Sequence, residues 1–174
     1  MKKFCTLAFV VVLFLTSVGT VLAEGWYKTK WGMDQSQVAA AVGEPLTPVN
    51  AKFSGDTYTH AISPFKVGSS EFKPYLCFMS GSLKKVHLRY QGANSAKAYA
   101  AFAGAKDMMI GKYGAPVGMD NKRMMGGGEI QSAKWVFEDT LITLNYYSMS
   151  LPGGASFGAN ITYEPRTSGG SDKL

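Results

Sequence analysis

The segment Trp31-Gly-Met-Asp-Gln-Ser-Gln-Val-Ala-Ala-Ala-Val-Gly-Glu-Pro45 leaves its backbone few choices. Asp34 stands where an N-cap belongs, and Gln37 three residues later completes a capping box. Met33 and Val38 flank that cap as a hydrophobic staple. Gly43 suits the left-handed position that ends a helix, and Pro45 cannot continue one. Each cap contributes about 1 kcal/mol, which matters for a helix of little more than two turns. The segment therefore predicts a short helix closed at both ends.

A second helix is predicted from Ser95 to Tyr113, with Tyr99, Phe102, Met109 and Tyr113 near a 3.6-residue stripe. It ends in Gly114-Ala115-Pro116, an echo of the first stop. Gly104 and Gly111 weaken it by roughly 1 kcal/mol each relative to alanine and suggest close approach to a sheet. Residues 74–90 alternate as a hairpin turning at Gly81, and residues 134–147 as another turning near Asp139. Thr57 to Ile62 and Ala159 to Tyr163 predict further strands. Residues 50–55, 118–128 and 151–158 are loops by their Gly, Ser, Pro and Asn content. The tail 166–174 is polar and predicts disorder. Val86-His-Leu88-Arg-Tyr90 and Ile142-Thr-Leu144-Asn-Tyr146 share one alternation, and each follows a Gly-x-Pro helix stop. The fold expectation is α+β, with helices on one face of an antiparallel sheet, as two tandem helix-plus-hairpin repeats over about 31–92 and 93–165.

Lys2 and Lys3, an apolar run from Phe4 to about Val18, and Val21-Leu22-Ala23 are the parts of a secretory signal peptide. The expectation is cleavage after Ala23 and a periplasmic or secreted protein. Cys5 lies inside the apolar run, away from the cleavage point, so a lipoprotein anchor is disfavoured. Cys77 would remain alone in the mature chain, where one cysteine cannot form an internal disulfide. Stability must come from a core, and roughly 150 residues suffice for one. Lys+Arg exceed Asp+Glu by 18 to 12, giving a formal net charge of +6. Export argues against nucleic acid as partner. The basic balance suits an acidic envelope partner or peripheral contact with anionic lipid, although scattered charges equally describe a solvated surface.

The residues offer little for catalysis. Cys77 and His87 share the first hairpin, but a two-residue loop at Gly81 puts Cys77 with Val86, Leu88 and Tyr90 and His87 on the opposite face. His60 lies in no recognisable triad, and no serine has a nucleophile-elbow context. Glu138 and Asp139 are adjacent at a turn and point apart. Met119, Met124 and Met125 could hold Cu(I) as soft thioethers, or simply tuck against a sheet. No phosphate loop, zinc spacing or dinucleotide fingerprint occurs. The expectation is a non-enzyme without cofactor or metal.

What remains is the sheet face turned away from the helices. The alternation assigns Leu76, Phe78, Lys85, His87 and Arg89 to it, with Lys134, Val136, Thr143, Asn145 and Tyr147 from the second hairpin. Such a mixture either binds a partner or lies under loops such as 118–128.

Gly32-Met33-Asp34-Gln-Ser-Gln37-Val38 through Gly43-Glu-Pro45-Leu46 resembles the opening helix motif of the SmpA/OmlA (BamE) domain. Phe78-x-x-Gly81-x-Leu83-x-x-Val86 is similar to its closing hairpin. That resemblance extends to the wider β-lactamase-inhibitor-protein-like fold group and covers about Trp31 to Pro165 as a tandem. It implies a non-enzymatic, protein-binding module of the bacterial cell envelope. The chain departs from it in lacking an anchoring cysteine. The alternatives are an inhibitor of a secreted hydrolase, a small periplasmic enzyme and a metal-binding protein.

Overall fold

A computed structural model describes residues 25–124, 128–151 and 153–166. The expected signal segment 1–23, Met125 and the tail beyond Arg166 lie outside the described residues.

The capping chemistry at the start of the chain is realised atom by atom. Helix α1 spans Gln35–Val42. Asp34 Oδ1 accepts from the Gln37 backbone N–H at 2.9 Å, and Gln37 Oε1 accepts from the Asp34 N–H at 3.0 Å. The hydrogen bond from the Gln37 N–H, with another from Ser36, holds the Asp34 carboxyl below the usual carboxylate range. Gly43 takes φ 82° and closes the helix through its N–H to Ala39. Helix α2 spans Ser95–Tyr113, with Asn94 as N-cap. Its far end is held from the sheet, since Trp135 Nε1 donates to the Gly114 carbonyl at 2.9 Å.

Among the described residues there are nine strands: β1 (Thr47–Phe53), β2 (Asp56–Ala61), β3 (Phe65–Val67), β4 (Ser70–Met79), β5 (Ser82–Gln91), β6 (Gly118–Met124), β7 (Gly128–Phe137), β8 (Thr140–Leu151) and β9 (Gly154–Pro165). They form one antiparallel sheet in the order β1-β2-β4-β5-β9-β8-β7-β6, with β3 on β4. This overturns the expected α+β pair of helix-plus-hairpin repeats. The chain is dominated by a single large sheet with two helices, and β5 pairs with β9 along six residues, so the hairpins do not close into separate units. Sheet pairing won because strands continue through the glycine-rich stretches that had read as loops.

Those stretches account for most differences between sequence and structure. Residues 50–55 contain the end of β1 and a two-residue turn. Residues 118–124 form β6, an edge strand, and 151–158 include the turn between β8 and β9. Polar edge strands need only one buried neighbour, and their charges and prolines discourage further pairing. β6 reads Gly-Met-Asp-Asn-Lys-Arg-Met, and β1 carries Pro48 and an irregular register between Pro48 and Ala51.

The core lies between α2 and one sheet face. Leu76, Val86, Leu88, Trp135, Ile142, Leu144 and Ile161 enter it from the strands. From the helix come Ala98, Ala101, Phe102, Ala105 and Met109. Gly104 is closely approached by the β3–β4 turn, where a Cβ at Gly68 would fall 3.3 Å from the Gly104 carbonyl oxygen, while the alanines pack on the core and Tyr99 is exposed. A Cβ at Gly104 or Gly111 would meet nothing within 4 Å. Gly111→Ala is therefore expected to stabilise the protein by about 1 kcal/mol through helix propensity alone. Thermal denaturation checks this, and an unchanged or lower midpoint would contradict it.

Candidate functional site

The face away from α2 is set by a bulge in the first hairpin. Ser80 and Gly81 form the turn with φ 51° and 76°. Register then shifts between Cys77 and Phe78: Phe78 pairs with Leu83, but Cys77 pairs with Lys85, leaving Lys84 as the extra residue. One inserted residue flips every side chain beyond it relative to the partner strand. Tyr75 and Cys77 consequently share a face with Lys85, His87 and Arg89, opposite to the expected arrangement. Leu76 faces the core and is fully buried beside Val86, and Phe78 packs partly against that core. Of the five residues assigned to the binding face, Lys85, His87 and Arg89 are brought together there and Leu76 and Phe78 are not.

Beyond β5 the same face continues across β9, β8 and β7. His87 pairs with Thr162 and Arg89 with Asn160. Asn145 stands opposite Asn160, and Tyr147 opposite Gly158. Lys134 pairs with Thr143. The Tyr147 ring crosses Gly158 so closely that an added Cβ would fall 2.6 Å from its Cζ. β9 is glycine where the aromatic ring lies over it.

The turn of the β1–β2 hairpin folds over this face. A flat sheet would hold β1 about 14 Å from β5, three strands away. Phe53 nevertheless stacks on His87 with centroids 4.9 Å apart and planes at 20°. It also meets Tyr75 edge-on at 4.9 Å, and the Arg89 guanidinium lies 4.9 Å from its centroid. Lys85 Nζ fastens the hairpin to the sheet, 2.8 Å from Asp56 of β2 and 2.8 Å from Glu164 of β9. Burial opposes the lysine charge, but both hydrogen-bonded carboxylates outweigh it and hold Lys85 above the usual range. Of loop 118–128, the alternative cover for this face, residues 118–124 belong to edge strand β6.

Between the Phe53 turn and β7 lies an open groove of about 420 Å³. Phe53, Tyr147, Ile130 and Met149 supply apolar walls, and Arg89, Asn145, Asn160 and Thr162 supply polar groups. His87 forms the floor under Phe53. Its Nδ1 lies 3.1 Å from Thr162 Oγ1, and the ring is 5% exposed. Burial, then the charges of Arg89 and Lys85, push its pKa down to about 4. The same burial pushes the Cys77 thiol and the Tyr58 hydroxyl up. Imidazole and thiol are both driven to neutral forms, which suits packing and not an activated thiolate–imidazolium pair.

The other candidates are dispersed. His60 contacts Thr59 and the Phe78 ring, away from the groove. Glu138 and Asp139 occupy the β7–β8 turn and are exposed. Met119 and Met124 lie on opposite faces of β6, roughly 16 Å apart along the strand, which separates the expected thioether cluster. Among the described residues, no group of His, Cys, Asp and Glu is placed to hold a metal ion, and no helix is long and apolar enough to cross a membrane.

Sequence reasoning missed Asn160, Thr162, Ile130 and Met149. The first two sit in an ordinary alternating strand, and only the β5–β9 pairing carries them to Arg89. Compared with protein-family models, curated proteins and solved structures, the chain matches none.

Proposed function

We propose that this chain is an exported, non-enzymatic binding module of the bacterial cell envelope that holds another envelope or secreted protein on its open sheet face. The observation that carries the reading is the groove between the Phe53 turn and β7. It combines aromatic walls, carboxamides and a guanidinium on the sheet face away from the described helix α2. Protein-binding surfaces favour this mixture, with aromatic residues and arginine over lysine and carboxylates. Export is supported by the charged, apolar and small-residue pattern of 1–23, and the envelope setting by the helix motif that resembles the SmpA/OmlA domain.

The test is affinity capture from an envelope extract with the full chain, followed by identification of the retained protein. Thr143→Glu places a carboxylate on the open face, and Lys112→Glu alters the distant α2 surface as a control. A partner retained by wild type and by Lys112→Glu, but lost with folded Thr143→Glu, is the expected result. A partner equally retained by Thr143→Glu would refute the proposed face.

A further inference from the structure

The groove carries one full charge, and no carboxylate among the described residues answers it. Arg89 of β5, Asn160 of β9 and Asn145 of β8 stand in register across three strands. Asn145 Nδ2 donates to Asn160 Oδ1 at 3.1 Å. In either amide orientation one of the two residues retains both of its N–H groups. Arg89 has its planar group over the Phe53 ring. Among the described residues, ion pairs join Lys85 to Asp56 and Glu164, and Lys122 to Asp120; none involves Arg89. No carboxylate lines the groove. Glu71 borders a smaller neighbouring depression that Arg89 also reaches, but Lys73 borders it too.

A guanidinium beside spare carboxamide donors is arranged to receive two oxygens of one acid group. The groove's length narrows the ligand. From β5 to β7 it crosses three strand spacings, about 14 Å, which matches some four residues of extended chain. A free small carboxylate would occupy only the Arg89 end and leave the Tyr147, Ile130 and Met149 walls empty. Without Lys2 and Lys3 of the expected signal segment, Lys+Arg still exceed Asp+Glu by 16 to 12, which favours an acidic partner as well.

We propose that the groove seats an extended acidic segment of the partner protein, with one Asp or Glu carboxylate on Arg89 and Asn160 and its neighbouring residues along Tyr147, Ile130 and Met149. This rests on the protein-binding reading above and specifies its chemistry.

The experiment is an NMR titration of the isotope-labelled full chain with three probes: a blocked pentapeptide with central glutamate between valines, its glutamine counterpart, and sodium acetate. The expected result is saturable shifts at β5 and β9 amides with the glutamate peptide, and binding at least about tenfold weaker for the glutamine peptide. Acetate should be weaker still. Arg89→Met should lose at least about tenfold in affinity. So should Asn160→Asp, which keeps the shape and supplies Arg89 with an internal carboxylate. Equal binding of the two peptides, unchanged binding by both folded variants, or acetate binding as tightly as peptide would each overturn the proposal. In the capture experiment, a partner lost with Thr143→Glu but fully retained by Arg89→Met refutes the carboxylate seat alone. Glutamate-specific binding with no captured partner supports the seat and refutes the protein-binding reading.

Discussion

Acidification from pH 7 to 4 is expected to remove about 3 kcal/mol of stability through His87 alone. Its folded pKa of about 4 lies below the ordinary histidine value of 6.5. Between these values the unfolded chain takes up a proton that the folded chain refuses. The stability associated with neutral His87 is thus complete above pH 6.5 and is lost as pH falls toward 4. The cause is burial first, then the charges of Arg89 and Lys85, with Asp56 opposing them weakly. Phe53 and Tyr58 pack on the ring, and His87 is left only 5% exposed. Urea denaturation of wild type and His87→Gln across this range isolates the effect, since carboxylate titration is common to both. Wild type should lose about 3 kcal/mol more than the variant between pH 7 and 4. Parallel stability curves would show that His87 charges freely in the folded protein.

Leu76→Ala is expected to cost about 3 kcal/mol, whereas Lys73→Ala on the same strand should change stability by less than about 0.5 kcal/mol. Leu76 is fully buried against Val86 and the core beneath α2, so truncation removes transfer energy and leaves a cavity. For a chain of this size the loss corresponds to a midpoint lower by roughly 6 to 12 °C. The measurement decides the face assignment. A hairpin without the bulge would expose Leu76 on the open side, and its truncation would then be nearly neutral.

Sequence alone determined the pieces whose chemistry is local. Asp34, Gln37 and Gly43 close α1 through contacts no more than four residues apart, and the same reasoning delimits α2 at Ser95 and Tyr113. The turns at Ser80-Gly81 and Glu138-Asp139, and the alternation of β8 and β9, were legible for that reason too. Lys134, Thr143, Asn145 and Tyr147 were assigned to one face correctly because the β7–β8 hairpin has no bulge.

What the tertiary structure decided was everything that depends on which strand lies beside which. The single residue Lys84 inverts β4 against β5, and no propensity marks it, because a bulge is selected by packing on both faces at once. Edge strands β1 and β6 were invisible since their polar residues satisfy a neighbour's backbone rather than fill a core. The folding-over of Phe53, held by Lys85 between Asp56 and Glu164, joins residues far apart in sequence. The groove exists only through the β5–β9 pairing, which brings Arg89 to Asn160. The capped helix at Trp31–Pro45 is fixed by contacts within a few residues, and long-range strand pairing fixes which side chains the open sheet face displays.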